Sequence, residues 1–477
     1  MNEMPQTARL DMASAIEPVV ILVDNKVRDL NVAALIAHHI ESLGVTCHLE
    51  PLEAYRGVLA AYRPGMIVFN HLNAGHLVQW SQRLANMGVL TAVLPNEGIA
   101  YDPDVLQYLA GRYHRGAHVD YFFCWNDAHK AALIKQGFGK ETRVEVTGVP
   151  RFDFYFEPWS CEIDQTADGS RPRVLVCTNF ITAQLLEIPR EYADSLFKQW
   201  AGRLPLYDDY WSAIEAQGRA RRKVLDFLNV LLKADAFDIV LRPHPGEDSS
   251  FYVSWLEALP AEQRGQIRID SHSDISSLIL GCDLEISCET CTTALESWIA
   301  GKPTIELNFE RHPLWYREVH ARGNIPCEVP AVLAALVERE LQTPGQPEKR
   351  EIRRQHLEQW CASPDGRSSE RIGRLIVEAV RSKNRATWSE LGVHDYRRAL
   401  KLKATHLIGE AYHYDPFLPI KQLLFRDQTI GRASVYQKSV KPQDVSAARA
   451  RLSNISRRWT DTHPRDESSG QALRAVR

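Results

Sequence analysis

The sequence predicts an α/β protein of two domains, each built on a doubly wound parallel sheet, followed by a basic, partly helical extension. Three observations carry that reading. At 477 residues the chain exceeds what one hydrophobic core ordinarily organises. Apolar runs of strand length alternate with helix-period segments along most of it. A polar, aperiodic stretch at 157–172 splits the alternation into two series. Residues 1–17 therefore read as a flexible N-terminus and 18–156 as the first domain. Residues 157–172 read as a linker, 173–382 as the second domain and 383–477 as the extension.

The first series opens on Val19-Val20-Ile21-Leu22-Val23, the continuous apolar run expected of a parallel strand buried on both faces. A helical pattern over 30–43 stops at Gly44. Strands at 46–49, 66–70, 89–94, 121–124 and 143–146 then alternate with helices at 54–62, 74–87, 104–112 and 126–135. The second series starts at Arg173-Val174-Leu175-Val176-Cys177. A helical insertion over 191–233 follows, then strands at 237–241 and 267–269 and a helix at 275–280. Residues 283–307 read as strand, hydroxyl-rich turn, helix and strand. Gly301 fits a helix C-cap there, and Pro303 cannot continue the helix. Helices over 329–341, 350–361 and 368–381 close the series.

Composition is that of a globular chain, with 44% hydrophobic and 25% charged residues. No run approaches 18 apolar residues and the N-terminus lacks an apolar h-region, so neither a spanning helix nor a signal peptide is expected. The nine cysteines are scattered and odd in number, the pattern of a reducing cytosol rather than a disulfide framework. Net charge is −3, yet 426–477 carries 11 Lys and Arg against 5 Asp and Glu. That basic tail, with Arg449, Arg451, Arg457 and Arg458, is a candidate for weak contact with the inner-membrane surface; no nucleic-acid partner is expected. The chain is expected in the cytoplasm or peripheral to that membrane.

Ligands of open parallel sheets bind outside the carboxyl ends of the strands. Five polar clusters fall at such ends: 24–29, Asn96-Glu97-Gly98, Thr178-Asn179-Phe180, 242–247 and 287–293. Ser287, Glu289, Thr290, Thr292 and Thr293 place hydroxyls beside a helix N-terminus, an anion-binding arrangement. Thr290 and Thr293 are both candidate N-caps, and Thr293-Ala294-Leu295-Glu296 reads as a capping box. Arg242-Pro243-His244-Pro245 holds a guanidinium and an imidazole between ring-locked prolines, suited to a leaving phosphate or equally to a rigid surface loop; Glu247 follows. Glu97 could act as a general base toward a hydroxyl or serve as a cap or ion-pair partner. Lys26 and Arg28 could neutralise phosphate or lie on an exposed first turn. Cys288 and Cys291 share a CxxC spacing without the two further ligands a structural zinc needs, and read as packing thiols. No GxGxxG, P-loop or HExxH occurs.

Taken together, VDNKVRDLN, LPNEGIAYD, VTGVPRFDFY, VLVCTNF, LRPHPGED and SCETCTTALESWIAGKP, with the later DGRSSER, resemble the bacterial surface carbohydrate biosynthesis proteins over about residues 19–375. Those look like glycosyltransferases of the GT-B fold, and the motifs are more distantly similar to sialyl and Kdo transferases. The resemblance implies two Rossmann-like domains facing across a cleft, with a nucleotide-sugar donor on the second. A CMP-linked acidic sugar is among the donors it implies. The acceptor would be a glycan or lipid-linked glycan, with no metal and no cofactor beyond the substrate. It also implies Glu97 as base, with His244, Ser287, Thr290 and Thr292 around the donor phosphate. Asn96 stands where the family pattern more often has a second acid, and Val149 where Asn is more usual. The alternatives are a nucleotide-sugar epimerase, a CDP-glycerol-type polyol-phosphate transferase, or a catalytically degenerate binding protein of the same fold.

Overall fold

The computed structural model describes residues 16–99, 101–113, 116–162, 171–343, 347–413 and 438–463. The expected flexible N-terminus, the middle of the expected linker and parts of the extension lie outside the described residues. The first domain runs β1 (Val19–Val23), α1 (Lys26–Ser42), β2 (Cys47–Pro51), α2 (Gly57–Tyr62), β3 (Met66–Phe69), α3 (Gly75–Asn86), β4 (Leu90–Val93), α4 (Pro103–Tyr113), β5 (Tyr121–Cys124), α5 (Asp127–Lys135) and β6 (Arg143–Val146). The second begins β7 (Arg173–Cys177), α6 (Arg190–Phe197), α7 (Tyr210–Ala234), β8 (Asp238–Arg242), α8 (Ser250–Ala258), α9 (Ala261–Arg264), β9 (Ile267–Ile269) and α10 (Ile275–Leu280). It continues β10 (Leu284–Cys288), α11 (Thr293–Ile299), β11 (Thr304–Leu307), α12 (Glu318–Ala321), β12 (Ile325–Cys327), α13 (Leu333–Gln342) and α14 (Pro347–Cys361). Three further helices follow, α15 (Ser368–Ser382), α16 (Val393–Leu407) and α17 (Pro442–Thr462).

Both sheets are six-stranded and parallel, ordered β2-β1-β3-β4-β5-β6 and β12-β11-β10-β7-β8-β9. Two Rossmann-like domains in this arrangement constitute a GT-B-like fold. In each sheet the strand order reverses beside its first strand, and a crevice opens there at the carboxyl edge. Register brings the strand ends level: Cys177 pairs with Arg242 on one side and with Ser287 on the other. The apolar runs are strands because helices cover both faces. All five residues of β1 are buried, alternating between two cores.

The expected boundary at 382 does not match the packing. Ile372, Ile376 and Val380 of α15 belong to the core around α1 and β1, so the chain returns to the first domain at Ser368. Asp153, buried in the segment after β6, accepts hydrogen bonds from the Ser368 and Ser369 amides at 3.1 and 2.6 Å and starts that helix. Asp153→Ala leaves two buried N–H groups without partners. A loss of about 2–4 kcal/mol is expected, read as a lowered urea midpoint with unchanged slope.

The extension also differs from expectation. Ala448, Leu452 and Ile455 of α17 are buried in the same core. Arg449 pairs with Glu41 at 2.7 Å and Arg451 with Asp274 at 3.2 Å. Two of the four tail arginines put forward for a membrane therefore have partners within the chain. The long insertion is α6 plus the first turns of α7, whose later turns are the ordinary crossover helix on β7 and β8.

Candidate functional site

The carboxyl ends of both sheets open on one interdomain cleft of about 880 Å³. Residues beyond β1, β4 and β6 line it from one side: Arg28, Asn31, Glu97 and Arg151. Residues at or beyond β7, β8, β9 and β10 line it from the other: Thr178, Arg242, His244, Asp274, Thr292 and Thr293. At the rim Asn31 Nδ2 donates to Asp274 Oδ2 across the domains at 3.0 Å.

His244 is fixed by its own loop. Its Nδ1 accepts the Gly246 amide at 3.0 Å, which places the ring proton on Nε2. Burial, with the guanidiniums of Arg28, Arg242 and Arg151 acting in the same direction, lowers its pKa to about 4. The imidazole is therefore a neutral N–H donor at ordinary pH. Three cationic groups from three different strand exits converge on it, which is the electrostatics of an anion site.

Arg28 is held by Asp29, whose carboxylate accepts from Arg28 Nε at 2.6 Å, from Asn25 N at 3.0 Å and from Asn96 Nδ2 at 2.9 Å. Burial pushes the Asp29 carboxyl up, and Arg28 opposes that shift. This accounts for Asn96. Its amide donates to Asp29 while its carbonyl oxygen accepts from Asn70 Nδ2 at 2.8 Å. An acid at 96 could not donate in its charged form and would face Asp29 with like charge. A second cavity beside the cleft, about 440 Å³, is lined by Arg28, Asp29, Asn70, Asn96, Trp125 and Arg151.

Glu97 stands at the lip of the cleft with its side chain 80% exposed, and Oε1 lies 3.8 Å from Arg28 Nη1. The glycine after it is required by close approach, since a Cβ at Gly98 would sit 2.5 Å from the Trp125 ring. Arg151 lies over Trp125, 5.0 Å from the ring centroid, and its Nε is 3.3 Å from Glu296 Oε1. Glu296 also accepts from Tyr155 OH at 2.6 Å.

Of the sequence-predicted residues, Arg28, Glu97, Thr178, Arg242, His244, Thr292 and Thr293 come together on the cleft. Several hydroxyls and charges there already have partners. Thr178 donates to Glu247 at 2.7 Å, Thr293 to Glu285 at 2.9 Å, and Arg242 to the Asp270 carbonyl at 2.8 Å.

The others are placed differently. Lys26 turns to Asp444 of α17 at 3.4 Å. Asn179 is not among the lining residues, and its carbonyl accepts from Gln217. Glu247 is buried and accepts from Thr178, Phe180 N and Tyr252, so it braces the loop rather than a ligand. Ser287 is fully buried, its hydroxyl 3.4 Å from the Cys291 carbonyl. Glu289 caps the Phe309 and Glu310 amides at 2.7 and 2.9 Å, and Thr290 bonds the Trp315 carbonyl. Glu289 and Thr290 reach those partners by adopting left-handed backbone, φ 51° and 59°. The N-cap of α11 is Thr292, without a side-chain cap bond, and the expected capping box is not formed.

Sequence reasoning passed over Asp29, Asn31, Arg151, Asp274 and Glu296. The strand-exit rule that found His244 applies equally to Arg151, two residues beyond the Gly148-Val149 turn. Cys288 and Cys291 are buried, and burial pushes the Cys291 thiol up to about 12. Among the described residues no group of three or more His, Cys, Asp or Glu side chains is placed to hold a metal ion.

No protein-family model matches the chain, and no curated protein matches it. Solved structures with similarity include an S. aureus MnaA–UDP co-structure, at 12% identity and TM-score 0.45, covering 79% of this chain and 100% of that one. A second is the wall teichoic acid polymerase TagF with CDPG, at 14% and 0.45, covering 76% and 89%. A third is a glycosyltransferase from Rickettsia africae, at 12% and 0.44, covering 76% and 98%. Identity and scores at this level carry no inference about activity; the fold assignment rests on strand order and register.

Proposed function

We propose that the chain is a glycosyltransferase that takes a sugar from a nucleotide-sugar donor to a glycan or lipid-linked glycan hydroxyl. The observation that carries this reading is the convergence of Arg28, Arg151, Arg242 and the neutral His244 in a cleft between two nucleotide-type sheets. The arginines would bind the donor phosphates. As the anomeric C–O bond to phosphate breaks, His244 Nε2–H donates to the departing oxygen, where charge develops. The acceptor oxygen forms the new bond, and its proton passes to Glu97, the carboxylate at the lip with room for a substrate. All nine cysteines are unpaired thiols, eight of them buried, which supports placing the reaction in the cytoplasm.

The test is to incubate the protein with CMP-, CDP- and UDP-activated donors, with and without glycan acceptor, and to identify the released nucleotide and the product linkage. Acceptor-dependent release supports transfer, whereas a donor isomer formed without acceptor would assign an epimerase. Glu97→Gln is expected to lower turnover about 10²–10⁴-fold. The thermal shift produced by the nucleotide should persist, because the arginines and His244 remain in place and Glu97 supplies no donor to the phosphate. Loss of that shift together with turnover would remove Glu97 from the base role.

A further inference from the structure

Among the described residues, helix α16 is fixed to the first domain by one face. It crosses α2 so closely that a Cβ at Gly57 would lie 2.9 Å from the Arg398 carbonyl oxygen. Ala399, Leu402 and Thr405 are buried in that contact. Asp395, on the same face, is bound by Arg83 at 2.7 Å. The rotation of the helix is therefore set, and so is what it shows to the outside.

What it shows is apolar. Val393 is 75% exposed, Tyr396 50%, Leu400 70%, Leu407 88% and the following Ile408 61%. At 100° per residue Val393, Tyr396, Leu400 and Leu407 fall within about a 60° arc, opposite the buried face. Arg397 and Lys401 flank that arc on one side and Lys403 on the other, all three exposed. The helix contains no carboxylate besides Asp395, which faces inward and is paired. An apolar stripe between rows of cations is the pattern of a helix lying in a lipid interface, with its apolar side chains among the acyl chains and its cations at anionic headgroups. A protein groove would call for partners to the flanking charges on defined positions. A bilayer accepts them wherever they fall.

We infer that α16 docks the protein on the surface of an anionic lipid bilayer, through Val393, Tyr396, Leu400 and Leu407 with Arg397, Lys401 and Lys403 at the headgroups. The assignment moves the expected membrane contact from the C-terminal arginines to this helix. It does not depend on the transfer reading, and its test uses no donor or acceptor.

The test is co-sedimentation of the full chain with phosphatidylcholine vesicles, with and without about one-third phosphatidylglycerol. Binding is expected with the anionic vesicles, and raising salt from about 0.1 M to 1 M should weaken it. The double variant Leu400→Glu, Leu407→Glu should bind at least about 10-fold less. Arg397→Gln with Lys403→Gln should bind roughly 25-fold less, at about fivefold per cation removed. Both variants alter only exposed side chains and should keep the wild-type melting temperature, which separates lost docking from lost folding. Failure of the wild-type chain to pellet with anionic vesicles overturns the inference. So does undiminished binding by the leucine variant. Concentration-dependent self-association that Leu400→Glu abolishes would assign the face to a second copy of the chain and overturn it as well.

Discussion

Replacing Glu285 by glutamine should make the chain more stable at pH 8.5, by on the order of 2–4 kcal/mol, and leave it nearly unchanged at pH 5. Glu285 lies on β10 with no solvent exposure. Its Oε1 accepts the Thr293 hydroxyl, and its Oε2 has no hydrogen-bond partner. Burial raises its pKa from 4.5 to about 8, Thr293 opposes the shift and Glu306 adds to it. Glu306, on the neighbouring strand β11, is raised to about 7 by the same burial. A carboxyl whose pKa rises on folding holds its proton more tightly in the native state than in the unfolded chain. The native state is then favoured in full below about pH 4.5, and that advantage is lost progressively above it, completely once pH passes 7 for Glu306 and 8 for Glu285. Stability should therefore fall as pH rises from about 4.5 to 8 and level off above that, and glutamine at 285 should flatten the fall. Urea titrations of wild type and variant at about pH 5, 7 and 8.5 read this directly. Parallel pH profiles for the two proteins would mean that Glu285 is not protonated in the fold.

His244→Ala is expected to lower turnover about 10²–10³-fold, while His244→Gln, which keeps an N–H donor, recovers part of it. The reason is the protonation state. With Nδ1 accepting the Gly246 amide and the ring pKa near 4, the group offers a neutral donor rather than a cation. The rate should then show no inflection assignable to His244 between about pH 5.5 and 8. An inflection near the ordinary histidine value that disappears in His244→Ala would show that the ring titrates during turnover, contrary to this reading. The fold should tolerate the change, since the loop keeps its Glu247 brace to Thr178 and Tyr252.

The sheets were readable because strands covered on both faces must be continuously apolar, and β1, β3 and the Val174–Cys177 stretch of β7 are. Strand β12 was not, since Ile325-Pro326-Cys327 is a three-residue edge strand carrying a proline. Buried Glu285 and Glu306 give β10 and β11 an alternation that resembles half-exposed strands, although every residue in both is buried. The cleft was half readable. Placement at strand exits found Arg28, Glu97, Arg242 and His244. It could not tell which hydroxyls of 287–293 face inward, because that turn passes through left-handed backbone at residues that are not glycine. Nor could it separate Lys26 from Arg28: the partner that draws Lys26 away lies 418 residues later in the chain.

Asp153 joins the two crossings of the chain between its domains. The segment after β6 leaves the first domain, α15 returns to it, and the Ser368 and Ser369 amides bind the Asp153 carboxylate between them. Two passes stitched side by side behave as a door hinge rather than a swivel. Swinging about that seam would keep the Asp153 bonds, whereas sliding or twisting would break them. Asn31 and Arg451 both bind the Asp274 carboxylate, so any motion that separates the domains there must stretch both contacts. The C-terminal helix α17, packed in the first domain's core, thus fastens that domain to Asp274 of the second, 177 residues earlier in the chain.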